Sequence, residues 1–187
     1  MNTYIEKAWK HFKKVVTHKR WVAHYCFMCG LYAQGILHDM SKFSPCEFLE
    51  SVKYYQGTRS PISACKEAIG YSNAWFHHRG RNKHHWEYWV DDFENGTIPK
   101  KMPFKYALEM ICDYLGAGRA YNGKNFSMQA EYDWWQRKRP VLVIHEDTKQ
   151  LVDELFGSML NIGIRETLSD KALLKELKRR YETEPQK

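Results

Sequence analysis

Gly35-Ile36-Leu37-His38-Asp39-Met40-Ser41-Lys42-Phe43 delivers an imidazole and a carboxylate side by side at the end of a short apolar run, with a lysine three residues further on. Burying such a pair at a helix end is costly unless both groups bind something, because an unpaired buried carboxylate forfeits its hydration. A divalent metal uses both at once: neutral imidazole nitrogen and carboxylate oxygen suit zinc, iron, manganese or nickel. A metal-free ion pair or a solvated loop would satisfy the same two residues. The positions of the other histidines therefore decide the reading.

Upstream, residues 3–29 read as one long helix or two abutting ones, with Ile5, Ala8, Trp9, Phe12, Val15, Val16, Val22 and Cys26 recurring at three- and four-residue steps. His18 lies three residues after Val15 and four before Val22, so it points to the apolar side. Cys26-Phe27-Met28-Cys29 has redox-motif spacing, but within this apolar helix the cysteines read as packed core residues. Downstream, Ser44-Pro45-Cys46-Glu47 has the form of a capping box, serine as N-cap, proline first and glutamate third, opening a helix to about Gln56. Ser60-Pro61 starts the next helix in the same way.

Asn73 to Trp89 then carries His77, His78, His84 and His85, four of the nine histidines. On a continuous helix His78, Asn82 and His85 would share a face, whereas a break at Gly80 and Asn82 would bring two helix ends together. A basic surface patch is the alternative, but imidazoles so dense beside Trp and Tyr suggest an enclosed site. After a turn at Glu94–Pro99, Pro103 opens a helix to about Tyr121. On it Asp113 sits on the apolar stripe with Tyr106, Met110 and Ala117, a placement that requires a cation, whether a metal or Arg119. Helices near 128–138, 146–161 and 170–182 follow, the last capped by Ser169; Val141–Ile144 could form a short strand with no evident partner.

Composition bounds the class. With 187 residues, 43% hydrophobic and 27% charged, the chain is expected to be one globular all-α domain, a compact helical bundle over 1–187. Its site core would span about 10–120, with C-terminal helices 128–182 packed on it. No secretory pattern or membrane-length apolar run is present, so a cytoplasmic protein without membrane association is expected. Five cysteines without framework spacing are expected to be reduced. A net charge of +7 favours an anionic partner, a nucleotide or other phosphoester, with nucleic acid as a second possibility.

Taken in order, His18, His38-Asp39, the 78–85 histidines and Asp113 resemble the H…HD…D pattern of the HD-domain superfamily of helical metal-dependent proteins. His38-Asp39-Met40-Ser41-Lys42 is similar to the H-D-x-G/S-K form of several of its branches. More narrowly, the run from His38 to Phe48 and the motif His78-x3-Asn82-x-His84-His85-x2-Tyr88-Trp89 resemble a bacterial and phage family of unknown function. That match covers about residues 10–120, and His77 falls outside its pattern. The resemblance implies that His18, His38, Asp39 and Asp113 ligate a first metal, with His24 or His11 replacing His18 if the first helix is rotated or broken. It implies further that Asp39 bridges to a second metal held by two of His78, His84 and His85. Lys42 would meet a substrate phosphate, and His84 or His85, where not a ligand, would bind phosphate or protonate the leaving group.

One or two divalent ions (manganese, iron, nickel or zinc) would thus serve a phosphohydrolase acting on a nucleotide or another small phosphoester. A di-iron oxygenase, which a few HD branches build from the same ligand order, is the alternative enzyme; a non-enzymatic nucleic-acid-binding or phage accessory protein is the third reading. Oligomeric state is not legible.

Overall fold

The computed structural model describes residues 3–94 and 96–183. The first helix, α1 (Tyr4–Met28), opens on a capping box in which Thr3 Oγ1 accepts from Glu6 N–H and the Glu6 carboxylate accepts from Thr3 N–H. Its buried stripe is His11, Val15, His18, Val22, Tyr25 and Cys26. Ile5, Trp9 and Phe12, expected on the apolar face, are exposed. The helix is phased so that two histidines, rather than those three apolar residues, face inward.

There follow α2 (Tyr32–Leu37), a 3-10 turn over Met40–Phe43, α3 (Pro45–Lys53), α4 (Pro61–Ile69) and α5 (Asn73–Arg79). The second half holds α6 (Phe104–Asn122), α7 (Met128–Lys138), α8 (Glu146–Ile162), α9 (Ile164–Ser169) and α10 (Lys171–Thr183). The fold is all-α, its only sheet among the described residues being a hairpin of β1 (Val90–Phe93) and β2 (Gly96–Pro99), antiparallel with Val90 opposite Pro99. The turn expected at Glu94–Pro99 thus lies in that hairpin, and its Asn95 falls outside the described residues. Val141–Ile144 forms a turn and bend running into irregular chain, and not a strand.

Helix α6 is the axis of the core, with Ala107, Leu108, Met110, Ile111, Cys112 and Leu115 buried. It makes the most extensive helix contact of the fold with α1. Trp135, Leu151, Val152, Leu155, Phe156 and Leu168 of the C-terminal helices join the same apolar cluster. Helix α10 is tied to the approach to α6 by Tyr181 O–H donating to the Met102 carbonyl at 2.6 Å. Its N-terminus is capped by Asp170, whose carboxylate accepts from Ala172 and Leu173 N–H, in place of the Ser169 cap expected from sequence.

The readings at α3 are corrected. Ser44 makes no side-chain cap hydrogen bond, so the capping box at α3 does not form, and α3 ends at Lys53 rather than near Gln56. The histidine stretch is broken, α5 ending at Gly80. Cys26 and Cys112 are buried, Cys29 is half-buried, and no disulfide occurs among the described residues. Among those residues no helix is long and apolar enough to cross a membrane.

Gly116 allows the α1–α6 approach that brings His18 toward Asp113: a Cβ there would lie 2.4 Å from Val22 Cγ2 and 3.1 Å from its backbone nitrogen. Gly116→Ala should therefore destabilise the protein by about 1–3 kcal/mol through overpacking. A urea midpoint equal to wild type would show that the two helices separate freely.

Candidate metal centre

His38 closes α2 and Asp39 follows with φ 54°, the one non-glycine residue of left-handed backbone among those described. Aspartate tolerates this conformation better than most side chains, although it costs about 1–2 kcal/mol. Lys19 Nζ hydrogen-bonds the His38 carbonyl and secures the end of α2. His38 and Asp39 then both turn inward, to 2% and 0% exposure.

Asp39 Oδ2 and three other atoms form a tight group. His18 Nε2 lies 3.2 Å from Asp39 Oδ2, 3.1 Å from Asp113 Oδ1 and 3.4 Å from His38 Nε2. His38 Nε2 is 3.3 Å from Asp39 Oδ2 and 3.5 Å from Asp113 Oδ1. The other oxygen, Asp39 Oδ1, faces His78 Nε2 at 3.1 Å and His84 Nε2 at 3.4 Å. His85 offers a donor to this second group as well. Donor atoms around a metal with bonds of about 2.0–2.2 Å stand roughly 2.8–3.6 Å apart, the spacing of these edges.

The angles carry the same message. Both Asp39 oxygens and the Nε2 atoms of His78, His84 and His85 are buried without a hydrogen-bond partner. They converge on common points without aiming at one another. Buried polar groups left unsatisfied in this number call for an ion or another occupant. Each donor set fits a divalent ion, one with two nitrogens and two oxygens, the other with up to three nitrogens and one oxygen.

The outer nitrogens are held. Glu109 Oε1 accepts from His38 Nδ1 at 3.0 Å and lies 3.2 Å from His84 Nδ1. Glu47 Oε2 accepts from His78 Nδ1 at 2.7 Å, and its Oε1 from His77 Nδ1 at 2.6 Å. Once these imidazoles are neutral, a proton on Nδ1 leaves Nε2 as a lone pair facing the centre, the arrangement carboxylates enforce behind metal-bound histidines. Asn82 Nδ2 donates to Ser41 Oγ at 2.9 Å and to the His78 carbonyl at 2.8 Å, locking the two motifs together. Glu50 accepts from Ser72 O–H and from the Asn73 and Ala74 N–H groups, and so positions α5.

The metal-free partner of Asp39 is Lys42, whose Nζ approaches Oδ2 at 2.5 Å off the direction of a good hydrogen bond. Burial alone would raise the Asp39 pKa, but His38, Lys42 and His78 hold it well below the usual carboxylate range. Burial opposes the charge on His38, yet Asp39, with Asp113 and Glu109, lifts its pKa well above the ordinary value. His78 is raised in the same way. His85 is pushed well below its ordinary pKa by burial and by His84 and His78, and stays neutral. Arg119, the alternative partner for Asp113, instead donates to Tyr25 Oη and lies over the Trp21 and Phe126 rings.

All eight residues singled out in the sequence thus converge: His18, His38, Asp39, Lys42, His78, His84, His85 and Asp113. Neither His11 nor His24 replaces His18, and His77 joins through Glu47. Glu47 and Glu109 were not assigned to the site. For Glu109 a signal existed, since it precedes Asp113 by four residues on α6 and shares its face. For Glu47 the local capping pattern concealed it.

An all-α protein with a buried His/Asp cluster able to hold a metal ion, compatible with an HD-like centre, is the class that fold and site define. The model of the family DUF5662, a family of unknown function, matches residues 7–158, and the chain belongs to that family. No curated protein and no solved structure matches it.

Metal binding should release protons, because His38 and His78 carry raised pKa values that an ion must overcome. Affinity for manganese should accordingly weaken as pH falls, and its calorimetric heat should vary between buffers of different ionisation enthalpy. Glu109→Gln should lower affinity by about 10–100-fold. Buffer-independent heats with unchanged affinity would mean the histidines are not ligands.

Proposed function

We propose that this protein is an HD-type metal-dependent hydrolase of small phosphoesters with Asp39 shared between two ions. The observation that carries the reading is the double donor set around the unsatisfied Asp39 carboxylate, each half backed by a glutamate. In this assignment His18, His38, Asp39 and Asp113 hold one ion. Asp39, His78 and His84 hold the other, because their outer nitrogens are the ones that Glu47 and Glu109 fix. His85 is neutral and half-buried with its Nε2 wholly enclosed, so it serves as a further nitrogen ligand or hydrogen-bond partner and not as a proton donor.

Bound divalent ions supply Lewis acidity and lower the pKa of water to about 7. The chain supplies the rest. Lys42 lines a cavity beside the cluster and offers its ammonium to a phosphoryl oxygen. In the hydrolysis, water adds its hydroxyl to phosphorus, the ester P–O bond breaks, and the leaving oxygen takes up the proton. The basic net charge favours arrival of an anionic substrate.

Phosphate release from a panel of phosphomonoesters and diesters, with manganese, nickel or zinc under argon, tests this. Activity is expected with at least one of these metals, and Lys42→Met should lower kcat/KM by about a hundredfold while leaving bound metal unchanged. Oxygen consumption that requires iron, with no phosphate released, would assign the centre to oxygenase chemistry instead. Steeply salt-dependent nucleic-acid binding without turnover would remove the enzyme reading.

A further inference from the structure

The cluster forms the floor of a cavity of about 210 Å³, where His18, His78, His85 and Asp113 meet its base. Pockets for drug-sized ligands run to about 300–1,000 Å³, so this one admits something smaller. Its walls include Val15, Pro61, Ile62, Ala74, Trp75 and Ala117, an apolar lining unsuited to a chain of phosphates or a strongly polar sugar. Lys14 also lines it, but its ammonium is engaged by the Ala120 carbonyl at 2.8 Å and lies over the Tyr121 ring. Lys42, paired with Asp39 Oδ2 in the metal-free cluster and released where an ion takes that oxygen, is therefore the ammonium for a single anionic group near the cluster.

His11 also lines this cavity and has no explanation in the centre itself. It is 6% exposed, held between the Phe48 and Tyr55 rings, and its Nδ1 is buried without a hydrogen-bond partner. Burial, with Lys42 nearby, lowers its pKa to about 4, so at neutral pH it is an uncharged imidazole with hydrogen-bonding capacity to spare. His11 and His18 share one face of α1 seven residues apart, about 10 Å at the helical rise. An orphaned buried polar atom that far from the cluster, across an apolar space, marks the distal end of a ligand.

We propose that the cavity takes a compact phosphate monoester of a single ring, its phosphoryl group at the cluster and Lys42, its ring between the apolar walls, and a polar substituent at the far end hydrogen-bonded to His11. His11 is then a specificity-determining residue, and nucleotides are excluded by size. The assignment rests on the hydrolase reading for its phosphoryl end, whereas the apolar middle and the His11 end stand on the cavity alone.

Binding of unreactive phosphonates to the manganese-loaded full chain tests the two parts separately. By calorimetry 4-hydroxyphenylphosphonate should bind about tenfold tighter than phenylphosphonate, the worth of one buried hydrogen bond, and adenosine 5′-monophosphate weaker than both. His11→Phe should abolish the preference for the hydroxyl without weakening phenylphosphonate, and His11→Gln should restore part of it. If His11→Phe does not fold, the order of the three ligands on wild type still decides. Equal affinities, tightest binding of the nucleotide, or no phosphonate binding would overturn the proposal. The expected order without phosphate release from 4-hydroxyphenyl phosphate would uphold the cavity assignment and remove the hydrolase reading. Phosphate release without that order would do the reverse.

Discussion

The structure depends on one carboxylate taken wholly out of water. Asp39 has its side chain buried and its two oxygens turned to different sets of imidazole nitrogens. Desolvating such a group is worth several kcal/mol against the fold unless positive charge meets it. Lys42 meets one oxygen, the other faces His78 and His84 Nε2, and Glu47 and Glu109 accept hydrogen bonds from the outer nitrogens of His78 and His38. Positive charge must sit among these groups: in the metal-free cluster Lys42 and the protons on His38 and His78 carry it, and a bound ion would take their place. The carboxylates behind the histidines thus orient individually ordinary side chains into a cluster able to hold a metal ion.

The helices are arranged around that requirement. The close packing of α1 on α6, permitted by Gly116 against Val22, sets His18 opposite Asp113. On the other side α3 presents Glu47 and Glu50 one turn apart, Glu50 holding the N-terminus of α5 and Glu47 the histidines at its end. The His38-Asp39 turn lies between these halves, its left-handed aspartate letting consecutive side chains enter the same space. The C-terminal helices contribute no ligand; Trp135, Leu155 and Phe156 buttress α6 from behind and hold its acidic face in place.

Much of this was legible without coordinates, and the failures have physical causes. Helical periodicity located α1, α6, α7, α8 and α10 because long elements average over many side chains. It placed Val15, His18, Val22 and Cys26 inward as found, but misphased the start of α1, where His11 is buried and Ile5, Trp9 and Phe12 are exposed. His38, Asp39 and Asp113 could be singled out because charged or polar groups interrupt apolar stretches there. Glu47 could not, since a glutamate three residues after a serine satisfies a local rule that tertiary contact overrode. The short hairpin at Val90–Pro99 escaped notice, as four-residue strands carry too little alternation to read. The 78–85 histidines show a third pattern: no helical face joins them, and the break after Gly80 folds His84 and His85 back onto Asp39.

The most direct test of the account is anomalous diffraction at the manganese, iron, nickel and zinc edges, from crystals of protein purified without chelator. Two peaks are expected about 3.5–4 Å apart, the spacing of two-metal sites, one beside each oxygen of Asp39. The first should lie among His18, His38 and Asp113, the second against His78 and His84, with Lys42 displaced from its position on Oδ2. A map without anomalous density after soaking in these metals, with Lys42 still on Asp39 Oδ2, would contradict it and leave the cluster as a structural network of ion pairs.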